Sequence, residues 1–238
     1  MNGLAFGLLG PLLAHRDGVP LALGPRGRRS ALAVLLIHAN EPVAPDRVAD
    51  ELETTRGTVQ VYVSRLRAVL GAATITTEPA GYVFRADPDR IDARRFERLV
   101  TEARRAPTVE RPGLLADALA LWRGPALADL ACERFARAEV ARLEELRLGA
   151  LENRAAVELE LGRHAAVVPE LAYLVVEHPF RERLRALLMT ALYRLGRQAD
   201  ALAVYRDARR RLAEELGLQP TPALRDLERA ILNQELAG

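Results

Sequence analysis

A five-residue segment that recurs with a single change constrains the second half of this chain more than any other feature does. Leu161-Gly162-Arg163-His164-Ala165 returns, displaced by 34 residues, as Leu195-Gly196-Arg197-Gln198-Ala199. Counting on from each glycine, Leu171 matches Tyr205 and Leu174 matches Ala208. A repeat of this length is a helix pair that cannot bury its apolar face alone and must stack on a neighbouring copy. The period is that of tetratricopeptide repeats, and the competing reading is a helical bundle with coincidental spacing. No period-two pattern survives beyond Ile91, so an all-helical region is expected after the break at Asp87-Pro88-Asp89. Within it, Asp92–Ala106 and Leu114–Trp122 read as a degenerate earlier pair, and Pro222–Leu236 as a capping helix.

The first ninety residues are written differently. Short apolar runs over residues 4–23 are separated by Gly10-Pro11 and by Asp17-Gly18, a hairpin signal, which predicts two or three short antiparallel strands. Arg26 to His38 reads as a helix whose first turn is basic. Cations there oppose the helix dipole unless an anion lies nearby. Pro45 suits the first position of a second helix, with Val48, Ala49 and Leu52 as its inner face. After a tight turn at Glu53–Arg56, the stretch Gly57–Leu70 places Val59, Val63, Leu66 and Leu70 in one narrow sector. The far side carries Thr58, Val61, Ser64, Arg65 and Ala68, with Gln60, Tyr62 and Arg67 on its flanks. Small residues among Arg, Gln, Ser and Thr suit a helix in a DNA major groove. There a guanidinium reaches guanine O6/N7 and an apolar group touches a thymine methyl. Two β-rich runs follow around Glu78-Pro79-Ala80-Gly81, giving a hairpin directly after the second helix of a helix-turn-helix, with Tyr82 and Phe84 packing inward.

Composition limits the chemistry. All 34 basic residues are arginine, so no lysine is available as a Schiff base or phosphate ligand, and the formal net charge is only +2. Residues 1–90 hold ten Arg against nine acids. Nucleic-acid binding must therefore rest on local clusters, one at Arg26, Arg28 and Arg29, another spanning Arg56, Arg65, Arg67 and Arg85. The single Cys132 excludes an intramolecular disulfide and a cysteine-rich zinc site, and its Ala-rich setting predicts a small buried filler. Four scattered histidines, only two serines (Ser30 and Ser64) and the absence of a Gly-rich phosphate loop leave no catalytic residue, metal site or cofactor to propose. No leader pattern opens the chain and no apolar run reaches about 18 residues. A cytoplasmic, nucleoid-associated protein without membrane contact is expected.

In the order of its elements the chain resembles the Streptomyces antibiotic regulatory protein family. The resemblance is carried by Phe6-Gly7-Leu8-Leu9-Gly10-Pro11-Leu12, Leu35-Leu36-Ile37-His38-Ala39-Asn40, Val61-Tyr62-Val63-Ser64-Arg65-Leu66-Arg67 and Gly81-Tyr82. It continues through Arg95-Phe96-Glu97-Arg98-Leu99-Val100, Leu119-Ala120-Leu121-Trp122-Arg123-Gly124 and Glu214-Glu215-Leu216-Gly217-Leu218. It implies an α+β OmpR-type winged helix-turn-helix over 1–90, followed by an all-α, tetratricopeptide-like bacterial transcriptional activation domain over 91–238. Such proteins look like activators of secondary-metabolite clusters that bind direct repeats in double-stranded promoter DNA. They recruit RNA polymerase through its sigma or alpha subunit and act as homodimers on DNA. The DNA-facing positions become Thr58, Val61, Tyr62, Ser64, Arg65 and Arg67, with Arg65 on a base edge and Arg67 and Thr58 on phosphates. Arg26, Arg28 and Arg56 are further phosphate candidates. Two departures stand out: the loop Glu53-Thr54-Thr55-Arg56 is shorter than the family's polymerase-contacting loop, and Ala44 replaces the usual hydroxyl cap. The alternative function is a protein-interaction scaffold whose winged helix is degenerate.

Overall fold

The computed structural model describes residues 3–235. It divides into two compact units, one of the residues up to Arg105 with Leu114–Leu148, the other of Ala106–Gly113 with the residues from Gly149 on.

In the first unit, β1 (Leu4–Gly7), β2 (Leu13–Arg16) and β3 (Val19–Pro20) form an antiparallel sheet in that order. The expected Asp17-Gly18 turn joins its last two strands. Helix α1 (Arg26–Ile37) follows, and every residue from Ser30 to Leu36 is buried, so this helix is the centre of the unit rather than a surface element. Next come β4 (Pro42–Val43), α2 (Pro45–Glu51), α3 (Arg56–Leu70), and the hairpin of β5 (Ile75–Glu78) and β6 (Gly81–Phe84). The second sheet has the order β4-β6-β5. Its tight closure explains Gly81. At φ 140°, a Cβ there would lie 2.1 Å from the carbonyl oxygen of Val43, so only glycine lets β4 approach. Phe84 meets Phe6 edge-on at 5.0 Å, joining the two sheets through one core. Asn40 closes the far end. Its amide exchanges two hydrogen bonds with the backbone of Ala86, and its own N–H donates to Phe84 O at 2.8 Å.

Beyond Ile91 the elements among the described residues are all helices, as expected: α4 (Asp92–Arg105), α5 (Arg111–Leu119), α6 (Arg134–Glu160), α7 (His164–Glu177), α8 (Glu182–Arg194), α9 (Gln198–Leu216) and α10 (Pro222–Leu232); residues 120–133, where the expected Leu114–Trp122 helix should have finished, are turns instead. The expected capping helix is α10, and Leu236 lies outside the described residues. The two copies of the five-residue repeat occupy equivalent places. Gly162 and Gly196 take left-handed φ values of 76° and 73° just before α7 and α9. Leu171, Leu174, Tyr205 and Ala208 are all buried, as the register requires. In the second unit, Arg185 is fully buried between α8 and α9. It donates to Asp207 at 3.0 Å and to the carbonyls of Pro179 and Val204. Cys132 departs from expectation. It is exposed in a run of turns, because its Ala-rich neighbourhood is not helical until Arg134.

One carboxylate governs the N-terminal strip. Asp92, at the start of α4, accepts the N–H groups of Leu8 and Leu9 at 2.7 and 3.2 Å and takes Arg123 Nη2 at 3.2 Å. Its side chain is only 13% exposed. Burial pushes its carboxyl above the usual 3.8, and the N–H donors of Leu8 and Leu9 and the Arg123 guanidinium pull only part of the way back. Asp92→Asn offers one acceptor for two N–H groups and turns its own N–H₂ toward donors. The expected loss is about 2–4 kcal/mol in urea unfolding. A carboxyl raised in the folded state binds more protons there than in the unfolded chain. The wild type's margin over Asp92→Asn should therefore shrink as the pH rises from the ordinary aspartate value of 3.8.

Candidate nucleic-acid interface

Helix α3 is built around the stripe that its sequence predicts: Val59, Val63, Leu66 and Leu70 are its buried residues. Packing that stripe against α1 and α2 leaves the opposite side outward. Thr55, preceding the helix, supplies the cap. Its Oγ1 accepts the N–H of Thr58 at 3.2 Å and lies 3.0 Å from the Thr58 hydroxyl. The sequence places this residue within the Glu53–Arg56 turn, although a Thr before an amphipathic run is itself a start signal. The turn spans Leu52 to Thr55, and Glu53 reverses the chain at φ 51°. Helix α2 begins at Pro45 after an uncapped Ala44, as expected.

The candidate residues fall into two groups. Val61 is 56% exposed, and Ser64, Arg65 and Ala68 lie out beside it on one face. Arg65 has no hydrogen bond or ion pair to the protein among the described residues, so its five donors point to solvent. Thr58, Tyr62 and Arg67 are half-buried and already engaged. The Tyr62 hydroxyl sits over Gly27, where a Cβ would lie 2.3 Å from it, so this ring packs against the first turn of α1 and not against the hairpin. Arg67 turns to the hairpin: Nε donates to Ile75 O at 2.8 Å, Nη2 to Thr77 Oγ1 at 2.7 Å, and the guanidinium lies 5.9 Å from the Tyr82 ring centroid. The side chain expected to reach a phosphate thus fixes β5 to α3.

The basic first turn of α1 also has internal partners. Arg26 pairs with Glu133 at 2.6 Å, and Arg29 bonds Asp129 and the carbonyl of Leu12. These carboxylates are the anions that the helix start called for, and nothing in the local sequence could announce them. Arg28 lies across Gly24. Arg56 meets Asp46 at 3.7 Å with both side chains more than 60% exposed, a contact weak enough for a phosphate to displace. Among the described residues no group of three His, Cys, Asp or Glu could hold a metal ion, and no helix is long and apolar enough to cross a membrane.

Arg67→Ala should loosen the hairpin, leaving Ile75 O without its partner, at a cost of about 1–2 kcal/mol in thermal or urea unfolding. Any DNA affinity should then fall alike for all sequences.

The family "Bacterial transcriptional activator domain" matches residues 91–232. The chain is 41% identical over 99% of its length to the regulatory protein AfsR of Streptomyces coelicolor, but spans only 25% of that protein. It is 38% identical to the regulatory protein DnrI of Streptomyces peucetius, over 96% of this chain and 92% of DnrI. Mycobacterium tuberculosis EmbR, solved in complex with a low affinity phosphopeptide, superposes with a TM-score of 0.95 at 36% identity, covering 100% of this chain and 67% of that one.

Proposed function

Because this chain belongs to the Streptomyces antibiotic regulatory protein family of transcriptional regulators, we propose that it is a sequence-specific DNA-binding activator of a secondary-metabolite gene cluster. The observation that carries this is the outward face of α3: Val61, Ser64 and Ala68 on a capped, three-sided support, with Arg65 lacking an internal partner among the described residues. In this reading residues 1–90 hold the duplex and residues 91–238 are the activating part. Arg65 donates to guanine O6/N7, Val61 packs on a thymine methyl and Ser64 reaches a neighbouring base edge. Thr58 and Arg56 meet phosphates beside the N-terminus of α3, where the helix dipole favours an anion. Arg26 and Arg28 lie on the α1 turn against which Tyr62 packs and contact the flanking backbone. Arg67 acts through the hairpin it holds. Two copies bind direct repeats in promoter DNA, and the bound protein recruits RNA polymerase through its sigma or alpha subunit. The short Leu52–Thr55 turn offers little surface for that contact, so the helical part is the proposed route.

Selection of bound duplexes from a random pool tests the reading and returns the half-site spacing. On the selected site, Arg65→Ala should cost about 1–3 kcal/mol, roughly 5- to 150-fold in a mobility shift, and relax preference at one position. A pool that yields no enriched sequence would leave a protein-interaction scaffold as the better description.

A further inference from the structure

One helix in the second unit shows solvent a face that has no charge on it. On α7, the exposed residues Ala165, Ala166, Pro169, Ala172, Tyr173 and Val176 lie within one sector of the helix, and exposed Phe180 follows it. Tyr173 is 64% exposed, Val176 74% and Phe180, just past the helix, 39%, and it is their contiguity with the small residues that sets this face apart. The repeat provides an internal control. Thirty-four positions on, Ala166, Ala172, Tyr173 and Val176 become Asp200, Arg206, Asp207 and Arg210 on α9. There Asp200 pairs with Arg197 at 2.7 Å and Arg210 with Asp207 at 2.6 Å. At these four positions α9 is charged where α7 is apolar, Asp207 also taking the buried Arg185, whereas Ala165 and Pro169 correspond to Ala199 and Ala203. The fold does not require an apolar face at this place.

We propose that this face of α7 binds the same face of a second copy of the chain, antiparallel, in the absence of DNA. Two features select that occupant. The first is size. The N-terminal half of the stripe is small (Ala165, Ala166, Pro169) and the C-terminal half is large (Tyr173, Val176), so reversing one helix against the other sets large residues on small ones. Ala165 then faces Val176, Ala166 faces Tyr173, and Pro169 faces Ala172. The second is charge. Arg163, which also pairs with Glu158 of its own copy at 3.0 Å, and Glu177 are both exposed and flank the stripe on one side at opposite ends. A two-fold axis through the middle of α7 brings Arg163 of each copy to Glu177 of the other, the self-complementarity that an isologous interface needs. The stripe runs eleven residue rises, about 16 Å, which places the contact at the small end of specific interfaces. It rests on no assumption about DNA reading.

Disulfide trapping in a Cys132→Ser background tests both the contact and its direction. A mixture of Ala165→Cys and Val176→Cys full-length chains should cross-link under mild oxidation, whereas Val176→Cys chains alone should not. Light scattering at roughly 100 μM should show species approaching twice the 26.2 kDa of the chain. Tyr173→Glu should return the monomer with unchanged thermal unfolding and unchanged affinity for a single DNA half-site. Arg163→Glu should weaken the dimer several-fold, and adding Glu177→Arg should restore it. Chains that stay monomeric at that concentration, or that cross-link as readily through Val176→Cys alone, would overturn the proposal.

Discussion

The first unit depends on how an irregular strip of backbone, Leu8 to Leu12, is satisfied away from any strand partner. Buried N–H and C=O groups must be paired, and this strip passes under a unit core where water is scarce. The Asp92 carboxylate takes the N–H groups of Leu8 and Leu9, and Asp129 takes that of Leu12 at 2.7 Å. In return, Arg123 and Leu127 donate their N–H groups to the carbonyls of Leu9 and Leu8, each at 2.8 Å, and Arg123 Nη1 reaches the carbonyl of Pro11 at 3.0 Å. Four residues that follow Ile91 in sequence therefore complete the hydrogen bonding of residues that precede β2. Leu8 and Leu9, with their polar backbone held, are free to bury both side chains almost completely. The cost of an unmade bond here is the desolvation of the orphaned group, which is why one aspartate has leverage over the whole strip.

The same economy decides which arginines are left for a ligand. With a net charge of +2, nearly every guanidinium near the candidate interface has an internal anion or carbonyl: Arg26 with Glu133, Arg29 with Asp129, Arg56 with Asp46, and Arg85 with Glu78. Surface pairs of this kind contribute little to stability. They do lower the standing positive potential over α1 and α3, so non-selective attraction to any polyanion is reduced. Arg65 is the exception on the outer face of α3. A surface that is electrostatically modest but presents one unpaired fork favours geometry over bulk charge as the source of selectivity.

Much of this was legible in the sequence wherever a pattern is local. The buried stripe of α3 follows from the period of the helix, the Asp17-Gly18 turn from backbone preference, and the repeat from its own recurrence. What was not legible depends on partners distant in the chain. Arg67 reads as a flank residue on the helix wheel and as a phosphate contact only by the family resemblance, yet a hairpin eight to ten residues later offers it Ile75 O and Thr77 Oγ1. The basic turn of α1 reads as either a phosphate contact or a tolerated solvated turn, because its actual partners, Asp129 and Glu133, lie a hundred residues away. Cys132 reads as buried from its alanine neighbours, but those neighbours sit in turns rather than on a helix face. Thr55 is the instructive case, since its capping role was available locally and was obscured only by placing it inside a turn.

These tertiary contacts also fix how the interface is presented before any ligand arrives. The hairpin is held to α3 by two hydrogen bonds from one guanidinium, and to β4 by a backbone approach that only Gly81 permits. The helix start is fixed by Thr55, and Tyr62 stacks the middle of α3 onto the first turn of α1 through Gly27. Arg67 and Tyr62 are engaged in holding the few outward residues in place. Ordering a mobile side chain at an interface costs about 0.5–1.5 kcal/mol, and ordering a loop costs more. A helix whose supports are already in place forfeits little of that on binding. The small number of outward groups on α3 is thus the consequence of a rigid platform, and a rigid platform is what allows so few groups to suffice.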